Sequence, residues 1–290
     1  MSVDCVVTGT NGMLGRALLP LLGETGLSSF IIADRKRLDL LDADALEQLP
    51  EAGTVIHLAA LSGPDLAWKD PERVIDNNVR STLNLLGWCR RHGVKRFVFA
   101  SSYLYGSPQY LPVDEAHPIQ PANAYAASKA LCEQLGQEYT RWGLSFVALR
   151  FFNLIGPGQG SAFLIPTIIN QLKSSHELRL FSSRPKRDYV DTLDAANAIL
   201  KAVTIPTESP FQAINIGSGQ AIAVPDIVES LMTISGKHVP VHYSEDMRPN
   251  EVLEVVADIS RARRLLQWSP RIGLEESLSR VWHASLDDRA

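Results

Sequence analysis

The chain has 290 residues, 45% of them hydrophobic and 21% charged, with a formal net charge of −4. That length suits one large domain or a domain with a smaller lobe, and the mildly negative balance gives no electrostatic basis for binding nucleic acid or an anionic membrane. The three cysteines, Cys5, Cys89 and Cys132, lie far apart with no C-x-x-C pair, which argues against a disulfide framework or a zinc site and suits a reducing compartment.

The run VDCVVT at 3–8 predicts a strand that starts almost at the N-terminus, leaving no room for a secretory leader. No window reaches the roughly 18 apolar residues of a membrane span, so a cytoplasmic protein is expected. Helical spacing follows at 13–23, then a strand at 30–33, a helix at 42–49 capped by Asp42, and a strand at 54–58. Next come a helix at 71–92 opened by Pro71, a strand at 96–101, a helix at 122–142 and a strand at 145–150. Short, continuously apolar strands alternating with helices predict parallel strands covered on both faces. The fold class is α/β, a Rossmann-like doubly wound sheet with right-handed crossovers.

Beyond residue 150 the rhythm loosens. A Gly-rich loop at 153–163 precedes helices at 164–173, 192–203, 225–235 and 274–284, with short strands at 178–181, 213–216 and 239–243. This predicts a smaller mixed α/β lobe over 153–290, partly interleaved with a Rossmann domain over 1–152 whose sheet later segments complete.

The segment TGTNGMLG places Gly9, Gly12 and Gly15 between the first strand and the first helix. Glycines there permit a tight turn, close approach to a pyrophosphate and close helix-on-strand packing. The helix N-terminus adds free N–H groups and a partial positive charge. Asp34 stands about 20 residues on, where a carboxylate accepts hydrogen bonds from ribose hydroxyls and favours NAD. Arg35 follows directly and leaves NADP open, because a guanidinium suits a 2′-phosphate. Asp39 is a candidate for the adenine edge.

Tyr125 and Lys129 lie four residues apart in AYAASKALCE. On a helix they share a face, and a neighbouring cation favours the phenolate. With the glycine turn, HLAA (57–60), NN (77–78), SSYLYG (101–106) and YAASK in this order, the chain resembles the extended short-chain dehydrogenase/reductases, specifically their nucleotide-sugar epimerase/dehydratase/reductase branch. The segments LRFFNLIGPGQ (149–159), RDYVDTLDAANAI (187–199), INIGSGQ (214–220) and MRPNEVLEVVADISRARRLLQWSP (247–270) carry the likeness nearly end to end.

The resemblance implies that Tyr125 is the general acid/base and that Lys129 holds the nicotinamide ribose and the tyrosinate. Ser101, with Ser102 as runner-up, would share the substrate oxygen. It further implies cofactor contacts from Met13, Leu14, Leu40, Leu58 and Ala59, and from Ala60, Asn77 and Phe152. On the substrate side it implies Ser62, Ser102 and Asn153, with Arg187 and Arg248 as phosphate clamps; a bond from Arg187 to Asp188 or Asp191 is the structural alternative. His57 reads as structural and Asn78 as a brace for the helix that carries Tyr125. No metal is expected.

Sugar 4,6-dehydratases of the branch place Asp-Glu just after the catalytic hydroxyl. Here Ser102 and Tyr103 stand there, so dehydration is not expected. The region 34–54 is shorter than in typical 4-epimerases, which favours a 4-keto (deoxy)sugar-nucleotide reductase that exchanges its cofactor. The 248–268 segment favours the alternative, a UDP-sugar-type 4-epimerase with retained NAD. A non-catalytic NAD(P)-binding sensor is the remote alternative, since sensors usually lose the tyrosine or the lysine. Relatives pair helices like 71–92 and 122–142 into a four-helix bundle, which implies a homodimer.

Overall fold

The computed structural model describes residues 2–206, 208–244 and 252–287. Strand β1 (Ser2–Thr8) turns into α1 (Met13–Glu24), which returns the chain to β2 (Ser29–Ile32). Then β3 (Glu51–His57) leads through the short α2 (Pro64–Lys69) to the long α3 (Pro71–Arg91) and β4 (Arg96–Ser102). A loop, α4 (Ala124–Tyr139) and β5 (Ser145–Phe151) follow. The remaining chain forms β6 (Asn153–Ile155), α5 (Leu164–Ser174), β7 (Leu178–Leu180), β8 (Lys186–Asp191) and α6 (Thr192–Thr204). It continues with β9 (Phe211–Ile216), β10 (Ala221–Ala223), α7 (Val224–Ser235), β11 (Val241–Tyr243), α8 (Ser260–Leu266) and α9 (Leu274–Asp287).

The main sheet runs β2-β1-β3-β4-β5-β9 with every neighbouring pair parallel. Strand order reverses between β1 and β3, and a crevice opens beyond their C-terminal ends, the usual ligand position in such sheets. Residues of β4 and β5 alternate between two cores. Phe97, Phe99 and Phe146 pack with α3 and α4 on one face, while Val98, Val147 and Leu149 pack with α1 and α6 on the other. The Phe97 and Phe146 rings stack at 5.2 Å, and Phe146 stacks on Phe211 of β9 at 5.8 Å. The fully buried rings of Phe97 and Phe146 each contribute about 1.5–3 kcal/mol.

Two smaller sheets, β10-β8-β6 and β11-β7, build the second lobe around Ile168, Leu172, Leu178, Leu231 and Trp282. The segment at 213–216, read in the sequence as one of the lobe's scattered strands, is β9 at the edge of the main sheet. Residues of α6, β9 and the 252–268 region fill the same core as β1 and α1.

The helix expected at 42–49 is not α-helical. The Asp42 carboxylate accepts the N–H groups of Asp44 and Ala45 at 3.0 and 3.1 Å, and only Ala45–Gln48 winds into a 3₁₀ turn. A side chain bonding that close to its own backbone competes with an α-helical start. Two short helices, α2 and α8, carry too few turns for a periodicity reading to register. Among the described residues no helix is long and apolar enough to cross a membrane.

Candidate active site

The glycine turn sits flush against the start of the β3–α2 connection. Gly9 has φ +74°, and a Cβ there would lie 2.5 Å from the backbone nitrogen of Ala59. A Cβ on Gly15 would meet the Thr10 Cα at 2.4 Å. No side chain larger than hydrogen fits at either place. Gly12 precedes α1 without a side-chain cap, so the first N–H groups of the helix keep their donor capacity and their dipole for an anion. Together with Met13, Leu14 and Leu58 these residues line one end of a cleft of about 900 Å³, a volume suited to extended ligands.

At the rim, Asp34 lies just beyond β2. Its Oδ1 accepts the amides of Lys36 and Arg37 at 2.9 and 3.2 Å, and Oδ2 accepts Asn11 Nδ2 at 3.1 Å. Arg35 donates to Asn77 Oδ1 and lies 3.8 Å from Asp39. Leu40, Ala60 and Asn77 share this lining.

His57 is structural, as its surroundings explain. Thr82 donates to the Asn78 carbonyl at 2.8 Å, so His57 Nε2–H must be the donor to Thr82 Oγ1 at 3.2 Å. Nδ1 is left to accept the Thr8 hydroxyl at 2.7 Å, and the same Thr8 oxygen accepts the Ala59 amide at 3.2 Å. Burial, with some help from the charge of Lys129, pushes the ring pKa down to about 3. A neutral imidazole therefore ties β1, the 58–60 backbone and α3 together beside the glycine turn.

Helix α4 is capped by Asn123, whose side chain accepts the Ala126 amide at 2.9 Å, a bond worth about 1 kcal/mol. Tyr125 and Lys129 follow on one face and line the cleft floor. Asn78 donates to Ser128 Oγ and to the Leu61 carbonyl, 3.0 Å each, and so braces α4 against the 58–61 segment. The Lys129 ammonium is buried, donates to the Ala100 carbonyl at 2.7 Å, and sits 4.5 Å from the Phe99 ring centre. Desolvation lowers its pKa to about 8. Burial raises the Tyr125 pKa to about 12, opposite in direction to the effect expected of the neighbouring cation.

The two serines point to different places. Ser101 is 3% exposed, lines the cleft and donates to Glu133 Oε1 at 2.6 Å. Ser102, half-buried at the end of β4, also lines the cleft, and its side chain makes no hydrogen bond among the described residues. Strand alternation turns neighbouring side chains to different faces, yet both serines border the same cleft.

At the far end, Ser62, Phe152 and Asn153 line the cleft, and Asn153 donates to the Asp188 carbonyl at 3.2 Å. Tyr103, Tyr189, Gln159 and Phe163 line it too and escaped the sequence reading. Adjacency to SSYLYG and the Gly-rich loop was the available signal. Arg187 stands outside the lining, and its charge opposes the rise in the Tyr103 and Tyr189 pKa values that burial causes. The carboxylates weighed as its partners are engaged elsewhere: Asp188 accepts Ser218, Gly219 and Ala257, and Asp191 takes Arg280 at 2.6 Å. Arg248 lies outside the described residues. Among the described residues no cluster of side chains is arranged to hold a metal ion.

Residues 5–217 match the model of the NAD dependent epimerase/dehydratase family. The chain belongs to that family. The epimerase/dehydratase match takes in the glycine turn, the Tyr125–Lys129 pair and the main sheet through β9, and makes the protein an enzyme dependent on a nicotinamide dinucleotide. A UDP-glucose 4-epimerase from Rhizobium leguminosarum bv. trifolii is 32% identical over 271 residues, covering 87% of this chain and 81% of its own. RMD from Pseudomonas aeruginosa, solved in complex with NADPH, superposes with a TM-score of 0.89 at 28% identity, covering 99% of both chains. The Thermus thermophilus UDP-glucose 4-epimerase complexed with NAD gives 0.85 at 26% identity, covering 98% of both.

Proposed function

We propose that the protein is a 4-epimerase of nucleoside diphosphate-sugars that keeps its NAD bound. The observation that carries this is the placement of Tyr125 and Lys129 on the floor of the cleft whose other end is the glycine turn. The end-to-end likeness to UDP-glucose 4-epimerases, including one from Streptomyces lividans that matches over 100% of both chains at 29% identity, favours epimerisation over net reduction.

The residues present fit a dinucleotide. Gly9 and Gly15 leave a cradle that a Cβ would fill, the uncapped start of α1 offers donors to the pyrophosphate, and Asp34 offers its carboxylate to the adenosine ribose. When bound, the nicotinamide supplies a hydride acceptor that returns the hydride to the same carbon. Tyr125, once its own phenol proton has left, takes the proton of the sugar 4-hydroxyl at its phenolate oxygen and gives it back. Lys129 holds a positive charge 5.7 Å from the Tyr125 ring centre and steadies the phenolate during that exchange. Ser101 and Ser102 both border the cleft, and one of their hydroxyls shares the sugar oxygen. Asn153 and Arg187 hold the diphosphate.

The test is direct. Purified protein is denatured to release dinucleotide, and native protein is incubated with UDP-glucose while UDP-galactose and NADH are followed. Retained NAD and interconversion without net NADH formation support the proposal. The reductase reading keeps one structural argument, the lack among the described residues of any strand between β2 and β3 that would cover the adenosine. Dinucleotide-free protein that oxidises NADH or NADPH only with a 4-keto sugar nucleotide would replace the proposal with that reading. We also propose a homodimer through α3 and α4, whose Leu83 and Leu131 are 40% and 42% exposed; light scattering showing only monomer would refute it.

A further inference from the structure

The turn after β2 carries three successive cations, Arg35, Lys36 and Arg37, at the end of the cleft where Asp34 meets the adenosine ribose. They do not share a direction. Arg37 lies over the Phe30 ring, 5.2 Å from its centre, and neither Arg37 nor Lys36 lines the cleft. Arg35 does. The turn that presents it is held by Asp34, whose carboxylate accepts the amides of Lys36 and Arg37 and the side chain of Asn11.

The Arg35 guanidinium is engaged with the opposite wall. Its Nη2 donates to Oδ1 of Asn77 on α3, a residue that also lines the cleft, and its Nε lies 3.8 Å from the Asp39 carboxylate. Asn77 is oriented for this bond. Its Nδ2 donates to Asn78 Oδ1 at 3.2 Å, which leaves its own Oδ1 for the arginine. Asn78 is buried and holds the Leu61 amide and carbonyl at 2.7 and 3.0 Å. A run of hydrogen bonds therefore leads from the turn after β2 to α3 and on to the β3–α2 connection. It spans the cleft end that no strand between β2 and β3 covers among the described residues.

An arginine in this place can hold a 2′-phosphate. Here the charge is balanced by Asp39 and a donor is taken by Asn77, while the neighbouring Asp34 repels a phosphate. Exposure matters as well. The Arg35 side chain is 58% exposed, so its bond opens readily to water and adds little to stability. An exposed bond between two walls of a ligand site acts on the ligand's exit more than on the fold.

We propose that Arg35 and Asn77 form a clasp across the adenosine end of the cleft, which slows release of the dinucleotide and withholds the guanidinium from a 2′-phosphate. It rests on the reading of this cleft as one that retains NAD, and it supplies the retention that a covering strand would otherwise give.

Protein loaded with NADH and chased with excess NAD in a stopped-flow fluorimeter reports release with no sugar nucleotide present. Arg35→Met keeps the alkyl stem, and Asn77→Ala removes the acceptor. Each should speed release about fivefold, the loss of one hydrogen bond to a charged group expressed in the off-rate. The double variant should release NADH no faster than either single variant, because both substitutions break the same bond. In equilibrium titrations Arg35→Met should weaken NADH and NADPH by the same factor. Wild-type release from either single variant, or effects that multiply in the double variant, would overturn the clasp. A loss of NADPH affinity in Arg35→Met that exceeds the loss for NADH would overturn it too, by giving the guanidinium to a 2′-phosphate. If wild-type protein interconverts no nucleotide sugars, the functional reading fails by itself, and NADH release still decides the clasp.

Discussion

The Lys129 ammonium lies 5.7 Å from the centre of the Tyr125 ring, yet its hydrogen bond goes to the Ala100 carbonyl, 2.7 Å away. The lysine is thereby held near the phenol and kept from quenching it. Both groups are protonated at neutral pH, since burial raises Tyr125 to about 12 and lowers Lys129 to about 8. Turnover should therefore rise with pH toward about 8, as the small phenolate fraction grows, and level off above it, where the ammonium loses its proton. Tyr125→Phe should lower kcat by about two to four orders of magnitude, with dinucleotide affinity little changed. A pH–rate profile of wild type and calorimetric titration of the variant check both; turnover within a few-fold of wild type would remove Tyr125 from the chemistry.

Ser102→Ala removes a hydroxyl that lines the cleft and bonds to no described residue. The melting temperature should stay at the wild-type value while kcat falls at least about tenfold, within the range of one lost transition-state hydrogen bond. Steady-state kinetics beside a thermal melt separates the two effects. An unchanged kcat would remove the serine from the sugar-binding end.

Gly9→Ala forces a methyl group to 2.5 Å from the Ala59 nitrogen at a φ of +74° that L residues rarely adopt. The turn must move, so dinucleotide binding should be lost and the melting temperature should drop. Gly12→Ala, whose Cβ would meet only the Gly9 carbonyl at 3.3 Å, should perturb the fold far less. Fluorescence titration with NADH, paired with thermal melts, tests the contrast.

Acid pH should destabilise the protein partly through His57. Its folded pKa of about 3 lies below the ordinary value of 6.5, so the unfolded chain binds the proton first. The contribution is fully present above pH 6.5 and is lost as pH falls toward 3, at about 1.4 kcal/mol per pH unit. His57→Gln should show a shallower decline in unfolding free energy across that window. Parallel slopes in denaturant titrations would contradict a neutral buried ring.

Arg187→Ala should weaken binding of a nucleoside diphosphate-sugar by about 1.5–3 kcal/mol, the worth of a hydrogen bond to a charged group. NAD affinity should stay at the wild-type value. Equal loss of both in isothermal titration would make Arg187 a support of the fold.

By itself the sequence determined the parallel sheet, because its strands are buried on both faces and appear as unbroken apolar runs. The glycine turn was legible for a related reason: positive φ and backbone contact admit no other residue at Gly9, so chemistry and sequence coincide there. The Tyr125–Lys129 pair was legible because helical geometry alone puts i and i+4 on one face. Long-range choices were not. That the Ser101 hydroxyl bonds Glu133 while the Ser102 side chain does not follows only from the packing of β4 against α4. The partnership of Glu133 with Arg150 joins residues 17 apart in sequence on different elements. The placement of residues 211–216 as the sixth strand required the neighbouring edge of β5. The burial that raises the Tyr125 pKa was not legible either, since desolvation depends on how many neighbours surround a group, and those neighbours are assembled only by the tertiary fold.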